Sequence, residues 1–471
     1  MTPLALLHST AAVVAAIVIT TGLLQNALQI AQLAIAAAAL RRRPPADRVG
    51  LLWQRYADVA PPIALLVPAY NEELSIVESV RSLLGLQYPN IEIVVVNDGS
   101  KDATLQALID GFGLVPAQRV FEDSVPHKPI RAIYRSPMEP RLVVADKENG
   151  GKADALNAAV NLARSPIVCS MDADSLLEQD SLLRAVQPFV DDPQRTVAVG
   201  ATIRVGNGCR IAHGHVAEVG LPRSVLAVLQ TIEYLRAFLM ARLAWSELGS
   251  LTIVSGAFGL FRRRIIIDVG GFSTDTVGED LELVIKIHRH MRDRKLDYRI
   301  DFVPEPVCWT QVPESLAVLG RQRARWQRGA LETFFKHRDM LLRPRYGRIG
   351  SVAFVHMLLV DVLGPVAELL GYILVPLFWA MGVLSLDYFL AFLAVTFAFG
   401  IAVSTGSLVL EELELRRFPR ARELSLLLGA AILENFGYRQ INNWWRVKGF
   451  WQYLRGRHDW GQMTRVGFRK A

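Results

Sequence analysis

The sequence predicts an α/β domain inserted between α-helical transmembrane segments. Strongly apolar stretches lie near both ends of the 471-residue chain, on either side of a more polar middle region. In that region, short apolar strands alternate with helical patterns, which is typical of a mostly parallel sheet covered by helices. The chain has 51% hydrophobic and 21% charged residues, a combination that segregated apolar and polar regions explain.

The N-terminal segment, residues 1–43, is predicted to be one transmembrane helix. Residues 11–40 are almost wholly apolar and long enough to cross a bilayer. Arg41, Arg42 and Arg43 follow directly, whereas a signal peptide carries its basic residues before the apolar stretch. By the positive-inside rule, the N-terminus lies outside and the chain after the arginines lies in the cytoplasm. We therefore expect a multi-pass protein of the cell (inner) membrane.

The middle region, residues 60–345, is predicted to be a cytoplasmic α/β domain. Its expected strands are 63–67, 91–97, 130–134, 142–145 and 167–171, and its expected helices are 74–84, 104–112 and 152–163. Ligands of such a sheet bind beyond the carboxyl ends of its strands. A further helical pattern over 223–248 fits either a membrane-surface helix or a core helix. Cys169, Cys209 and Cys308 have no metal-type spacing, in accord with a reducing cytoplasm.

The C-terminal region, residues 350–445, is predicted to contain transmembrane and interfacial helices. Residues 352–410 are apolar and hold two spans, with or without a surface helix before them. Residues 424–445 begin apolar but soon carry charges, and a third span would place the basic tail outside. We therefore expect that segment to be interfacial or re-entrant. The basic, tryptophan-rich tail, residues 446–471, is expected in the cytoplasm, on the membrane or over the functional site.

The charge of the chain points to anionic partners. The formal net charge is +7, from 52 basic and 45 acidic residues. Such an excess fits contact with membrane lipids or with a phosphorylated substrate. Outside the tail, no basic run is interleaved with aromatic residues, so no nucleic-acid partner is expected.

Two spaced carboxylates, Asp172 and Asp174, follow the predicted strand at 167–171. Acids at positions i and i+2 lie on the same side of an extended segment, here at its C-terminal end. Such a pair can hold a divalent cation against a diphosphate. Taken alone, the same residues fit an ordinary solvated turn equally well.

Two more motifs place polar groups at strand ends. Asp98, in the segment NDGS, follows the strand at 91–97 and can accept hydrogen bonds from a base or ribose. In GGKADALN, two glycines precede a helix, where Lys152 can reach a phosphate and Asp154 can contact a nucleotide. Ordinary turns and a solvated lysine are the alternatives.

Two motifs lie later in the chain. Glu279 and Asp280 offer a carboxylate that can serve as a general base, or else a charge cluster favoured at a helix N-terminus. Gln322, Arg325 and Trp326 share one helix face, which suits a sugar ring next to a phosphate. The alternative is a basic surface helix whose tryptophan anchors it at the membrane.

The order of these motifs resembles that in the family 2 processive glycosyltransferases, which include the synthases of cellulose, chitin, hyaluronan and poly-N-acetylglucosamine. The resemblance rests on PAYNE, NDGS, GKADALN, DAD, GED and QRARW between membrane segments, and it covers residues 61–329. It implies a GT-A (nucleotide-diphospho-sugar transferase) fold and inverting, metal-dependent hexosyl transfer from a UDP-sugar. The acceptor would be a glycan or a lipid, and a homo-oligomer or a secretion partner is compatible with the family.

The resemblance also implies residue roles. By position, Asp280 is the catalytic base, Asp98, Lys152 and Asp154 bind the nucleotide, Asp172 and Asp174 bind the donor and Mg²⁺ or Mn²⁺, and Glu279, Gln322, Arg325 and Trp326 form the acceptor and pyrophosphate site. The family's threonine before the acid pair is glycine here, which leaves the base in place but changes its surroundings.

Two functions follow from the resemblance. The leading one is a processive β-linked polysaccharide synthase that uses N-acetylglucosamine or glucose. The alternative is a non-processive transferase that adds a single sugar to a lipid or short acceptor. The intact QRARW motif favours the first, whereas the small number of spans favours the second.

Overall fold

The computed structural model describes residues 3–43, 49–212, 215–414 and 420–456. Within these ranges, the strands are β1 (Ile63–Ala69), β2 (Ile91–Asn97), β3 (Val115–Pro116), β4 (Ile130–Arg135), β5 (Leu142–Lys147), β6 (Ile167–Met171), β7 (Leu176–Leu177), β8 (Thr196–Val205), β9 (Arg210–Ala212), β10 (His215–Glu218), β11 (Phe258–Arg262) and β12 (Arg299–Thr310). The five predicted strands thus appear as β1, β2, β4, β5 and β6, close to their expected positions.

The helices are α1 (Pro3–Arg42), α2 (Val49–Tyr56), α3 (Ile76–Leu84), α4 (Thr104–Phe112), α5 (Lys152–Leu162), α6 (Ser181–Asp191), α7 (Val225–Tyr234), α8 (Leu243–Glu247), α9 (Arg263–Asp268), α10 (Glu279–Asp293), α11 (Leu316–Lys336), α12 (Phe354–His356), α13 (Gly364–Ala380), α14 (Leu386–Glu414), α15 (Ala421–Leu433) and α16 (Tyr438–Leu454). Segments Leu235–Arg242, Ile349–Ala353 and Met357–Leu363 are π-helical, and Arg338–Met340 and Pro344–Tyr346 are short 3₁₀ helices.

Ten strands form one sheet in the order β3-β4-β5-β2-β1-β6-β11-β8-β12-β7. Strands β5, β2, β1 and β6 run parallel, as do β8 and β12. Strand β11 runs antiparallel to both β6 and β8, and β4 runs antiparallel to β5. The sheet is therefore mixed rather than mostly parallel. Strand β11 is as apolar and buried as its neighbours, so its sequence carries no sign of its direction.

The parallel half of the sheet sets the position of the motifs. Strands β1, β2 and β6 are almost entirely buried, which explains their near-continuous apolar sequences. Ala69 at the end of β1 pairs with Asn97 at the end of β2, and Asn97 pairs with Asp146 near the end of β5. The loops after these strands therefore leave the sheet at the same edge.

Three helical segments are long and apolar enough to cross a membrane: Ala15–Arg42, Ile349–Ala380 and Phe389–Leu413. Helix α15 has 13 residues. At about 1.5 Å per residue it is about 20 Å long, too short for a hydrocarbon core of about 30 Å. The interfacial or re-entrant arrangement of 424–445 stays a prediction.

The predicted tail boundary at 445/446 differs from the structure, because α16 continues through it to Leu454. That helix packs along α11, which explains why it does not stop where the composition changes. Residues 457–471 of the predicted tail lie outside the described residues.

The helical pattern expected over 223–248 is one interrupted helix made of α7, a π-helical segment and α8. It contacts β8 on one side and α1 and α14 on the other, so it lies between the sheet and the apolar helices. Two ion pairs with buried carboxylates strengthen this junction. Arg204 of β8 pairs with Glu411 of α14, and Arg236 of the π-helical segment pairs with Glu434.

Two glycines allow α11 and α16 to approach closely. A Cβ atom at Gly320 would lie 2.6 Å from Nε1 of Trp445, and a Cβ atom at Gly449 would collide with the carbonyl oxygen of Ala324. Because the second obstacle is backbone, a side chain at 449 would force the two helices apart.

We predict that Gly449→Ala destabilises the protein. Overpacking costs about 1–3 kcal/mol, more than the ~1 kcal/mol that alanine gains over glycine in a helix. The midpoint of thermal unfolding in detergent should fall by a few degrees. Gly429→Ala in α15 is the matched control, since no atom lies within 4 Å of its added Cβ. Equal midpoints for the two variants would contradict the prediction.

Candidate active site

The loops after β1 and β2 hold each other at the sheet edge. Asn71 has a φ of +56°, in the left-handed region that asparagine tolerates better than most residues. Its backbone N–H donates to Oγ of Ser100 at 3.0 Å, and its side-chain oxygen accepts from the N–H of Lys101 at 2.9 Å. Glu73 accepts a further bond from the N–H of Ala103 at 2.9 Å. PAYNE and NDGS therefore form one structural unit.

Asp98 is buried and organises the glycine loop before α5. Its carboxylate accepts from the N–H groups of Gly150 at 2.9 Å and Gly151 at 2.8 Å. It also accepts from Nζ of Lys147 at 2.7 Å and from Nδ2 of Asn149 at 3.2 Å. Gly151 has a φ of +90°, which favours glycine at this position. Asp98 thus fixes the loop from which α5 begins.

Lys147 is fully buried and joins two of the predicted site residues. Its ammonium group pairs with both Asp98 and Asp154. Asp154 also accepts from the N–H of Lys128 at 3.0 Å, and a side chain at Gly150 would collide with its carboxylate. The sequence analysis missed Lys147 because it ended the strand at residue 145. The only signal was a lysine among acids at the end of an apolar run.

A second cluster brings together DAD, GKADALN and GED. Nζ of Lys152 lies 2.7 Å from Oδ1 of Asp172 and 3.1 Å from Oε1 of Glu279. Burial disfavours the charged form of Lys152, but the Asp172 and Glu279 carboxylates outweigh it and raise the pKa of Lys152. Burial also raises the pKa of Glu279, and the carboxylate of neighbouring Asp280 adds to that rise.

Asp280 is fixed at the start of α10. Its Oδ2 accepts from the N–H of Gly256 at 2.9 Å, and its Oδ1 accepts from the N–H of Leu281 at 2.8 Å. A Cβ atom at Gly256 would lie 2.8 Å from Nζ of Lys152 and 3.5 Å from Oδ2 of Asp280. No role was predicted for Gly256. Gly256 in fact lies between the two charged groups and leaves no room for a side chain.

The chemistry of Asp172 and Asp174 fits a divalent cation shared with a diphosphate. Burial, and then the nearby Asp172 carboxylate, raise the pKa of Asp174 to about 7. Across the described ranges, no group of three or more His, Cys, Asp or Glu side chains could hold a metal ion. Mg²⁺ is commonly held by one or two carboxylates together with substrate phosphates. These two carboxylates therefore suit a metal ion that binds together with the diphosphate of a substrate.

Arg325 of α11 faces this acidic cluster. Burial lowers the pKa of its guanidinium, whereas the carboxylates of Glu279, Asp172 and Asp280 act in the opposite direction. The cluster therefore combines two cationic side chains, Lys152 and Arg325, with the four carboxylates of Asp172, Asp174, Glu279 and Asp280. An added anion would find both cations close to the metal-type carboxylates.

Arg323 positions the other residues of QRARW. Its guanidinium carbon lies 4.2 Å from the ring centre of Trp326, which is 45% exposed. Arg323 also donates to Oε1 of Gln322 at 3.3 Å and pairs with Glu233 at 2.7 Å. The hydroxyl of Tyr438 donates to the same carboxylate at 2.7 Å. Arg323 had no predicted role, because Glu233 and Tyr438 lie far from it in the chain.

The predicted site residues thus divide into three groups. Asp98 and Asp154 surround Lys147; Lys152, Asp172, Glu279, Asp280 and Arg325 share an electrostatic cluster with Asp174; and Gln322 and Trp326 are held by Arg323. The glycine loop links the first group to the second, since Gly151 directly precedes Lys152. Helix α11 links the second to the third.

Two family models match this chain. "Glycosyl transferase family group 2" matches residues 167–403, and "Glycosyl transferase family 2" matches residues 64–113. Among curated proteins, the poly-beta-1,6-N-acetyl-D-glucosamine synthase of Staphylococcus aureus (strain COL) is 30% identical over 275 residues, 58% of this chain and 56% of the relative. That of Staphylococcus epidermidis is 28% identical over 305 residues, 63% of each chain. The match therefore spans less than two thirds of these relatives.

Among solved structures, a mannosyltransferase from Pyrobaculum calidifontis, in complex with GDP-Man and Mn²⁺, superposes with a TM-score of 0.54. It is 22% identical, and the match covers 92% of this chain and 99% of that one. The likeness confirms the predicted GT-A fold.

We predict that Lys147→Met strongly destabilises the domain. The variant leaves the carboxylates of Asp98 and Asp154 buried without their shared cation, a change that costs about 3–5 kcal/mol. Thermal unfolding in detergent should show a lower midpoint. Lys128→Met, at an exposed lysine nearby, should leave the midpoint within experimental error. A wild-type midpoint for Lys147→Met would show that the two acids do not need the ammonium group.

Proposed function

This chain belongs to glycosyl transferase family group 2, and we propose that it is an inverting, metal-dependent enzyme that extends a β-linked glycan from a UDP-sugar. The convergence of Lys152, Asp172, Glu279 and Asp280 at one sheet edge carries this proposal. The names of the curated relatives favour N-acetylglucosamine over glucose as the sugar.

The donor binds at the acidic cluster. Asp172 and Asp174 would hold Mg²⁺ or Mn²⁺, and the ion would supply positive charge to neutralise the donor diphosphate. Lys152 and Arg325 approach the same phosphates from the protein side and act as fixed counter-charges. Asp98 and Asp154 shape the nucleotide end of the site through Lys147 and the glycine loop.

Asp280 is the general base of the transfer. The acceptor hydroxyl oxygen attacks the anomeric carbon on the face opposite the UDP, and its proton moves to the Asp280 carboxylate. The bond between the anomeric carbon and the diphosphate oxygen breaks, and its electron pair leaves with UDP. One displacement inverts the anomeric centre. The N–H bonds from Gly256 and Leu281 hold the carboxylate in place for this step.

The acceptor lies against α11. The half-exposed ring of Trp326 offers an apolar surface for a sugar face, and Gln322 offers an amide for its hydroxyls. Lys152 pairs with Asp172 on the donor side and with Glu279 on the acceptor side. Glu279 therefore lies between the two substrates. Arg323 keeps Trp326 and Gln322 in register through its bond to Glu233.

The enzyme is a multi-pass protein of the cell membrane with its active site in the cytoplasm. The three candidate spans support membrane insertion, and Arg41, Arg42 and Arg43 at the end of the first span support this orientation. The donor is then taken from the cytoplasm.

A non-processive transferase is the second candidate, in which one sugar is added to a lipid or short acceptor. One observation favours it. The described residues contain three candidate spans, few helices to line a channel for a long glycan. If the protein is a processive synthase, a homo-oligomer or a secretion partner would supply further helices to line the channel.

Product length separates the two candidates. Purified protein in lipid nanodiscs is incubated with Mn²⁺ and either UDP-N-acetylglucosamine, UDP-glucose or UDP-glucuronate, and UDP release and product mass are measured. We expect UDP release with UDP-N-acetylglucosamine and a ladder of long products. A single added sugar would establish the second candidate, and no UDP release with any donor would overturn the proposal.

We predict that Asp280→Asn lowers kcat by about 10²–10⁴-fold, because the acceptor hydroxyl loses its proton acceptor. UDP binding, measured by calorimetry, should change little, since the amide keeps the shape of the side chain. Asp110→Asn, at an exposed acid of α4, is the matched control and should keep full turnover. Turnover within a factor of two of wild type for Asp280→Asn would assign the base to another residue.

We also predict that Asp174→Ala raises the Mn²⁺ concentration for half-maximal turnover at least about tenfold, as expected on loss of a metal ligand. Chelation by EDTA should abolish wild-type turnover, and added Mn²⁺ should restore it. An unchanged metal response in the variant, with Asp110→Asn again as control, would remove Asp174 from the metal site.

A further inference from the structure

Helix α16 has two faces of different character. Its exposed positions recur at spacings of three and four, which places them on one side of the helix. That outer stripe consists of Ile441, Trp444, Lys448, Trp451, Leu454 and Arg455. It contains two large aromatic rings, two aliphatic side chains and two basic groups, but no acid.

The outer stripe has the composition of a helix at a membrane surface. Trp444 and Trp451 are 59% and 54% exposed, which is costly for two indole rings in water. The guanidinium carbon of Arg455 lies 4.8 Å from the ring centre of Trp451. Tryptophan next to lysine or arginine is typical of the headgroup layer, where rings contact lipid and cations contact phosphates.

Helix α16 and the residues just before it contact two of the candidate membrane spans. Asn443 donates to the carbonyl of Pro365 at 3.1 Å, and Arg446 donates to the carbonyl of Val360 at 2.7 Å. Both acceptors belong to the span Ile349–Ala380. Just before α16, the ring of Phe436 stacks on Phe397 of the third span at 4.5 Å. The exposed stripe therefore begins beside two spans.

The inner face of α16 packs against α11, the helix that carries QRARW. Tyr438 donates to Glu233, the partner of Arg323. Farther along, Nε of Arg446 donates to Oε1 of Gln327 at 2.9 Å. These bonds and the close approach of the two helices at Gly320 and Gly449 hold α11 against α16.

We propose that the outer stripe of α16 binds anionic lipid headgroups and that this contact holds α11, and with it Trp326, in the active position. The lipid is chosen over a protein partner because the stripe adjoins the spans and pairs indole rings with unopposed positive charge. The membrane contact stands independently of the transferase chemistry, whereas its effect on turnover rests on the proposed function.

A fluorescent label tests the membrane contact. Full-length Cys209→Ser protein carries the label at Trp444→Cys or, separately, at Trp451→Cys, in vesicles of phosphatidylcholine with or without phosphatidylglycerol. We expect doxyl-labelled lipid to quench both labels and iodide to quench them weakly. Met138→Cys, at a position 85% exposed in the α/β domain, is the matched control and should show the reverse. Iodide quenching like that at Met138 for both labels would overturn the proposal.

Charge reversal tests the coupling to the active site. Each basic residue near an anionic surface contributes about fivefold in binding, so Lys448→Glu with Arg455→Glu should lower turnover several-fold in phosphatidylglycerol nanodiscs. Arg264→Glu, at a basic side chain of α9 that is 82% exposed, is the matched control and should keep wild-type turnover. Unchanged turnover in the double variant would overturn the coupling. Absence of wild-type turnover in every nanodisc would instead count against the proposed function, and the label would still decide the membrane contact.

Discussion

The buried ammonium of Lys147 is the interaction on which the donor side of the site depends. It lies between Asp98, after β2, and Asp154, in the first turn of α5. Carboxylates this deeply buried persist as charges only with a cation and hydrogen bonds to compensate them. The same bonds that satisfy Asp98 also hold Gly150 and Gly151. A structural ion pair therefore determines where α5 begins and where its side chains point.

Lys152 connects the start of α5 to the acidic cluster. It is the first residue of α5, and its ammonium reaches Asp172 and Glu279 from two other parts of the chain. Four carboxylates and two cations share the cluster, so binding of a diphosphate and a divalent metal would change the partners of each group. A side chain at position 256 would crowd Lys152 and Asp280, so the glycine keeps these two charged groups unobstructed. The cluster thus offers cations to an anionic diphosphate and carboxylates to a metal cation.

Helix α11 connects this chemistry to the membrane helices. Its inner face presents Arg325 to the acids, whereas Arg323, one turn from Gln327, faces Glu233 and α16. Two of its partners lie far away in the chain: Glu233 is 90 positions before Arg323, and Arg446 is 119 positions after Gln327. The contacts of Arg323 with Glu233 of α7, and of Gln327 with Arg446 of α16, therefore couple the position of Trp326 to those two helices.

The sequence by itself determined the elements and the motifs, because apolar periodicity and strand-end polar groups are local properties: β1, β2 and β6, and the order from NDGS to QRARW, were readable from it. Tertiary structure decided what the sequence left open. The direction of β11, the burial of Lys147, the space at Gly256 and the pairing of Arg323 with Glu233 and Tyr438 all depend on residues far apart in the chain. Spacing along a chain fixes which side chains share a face, whereas only packing fixes which faces meet.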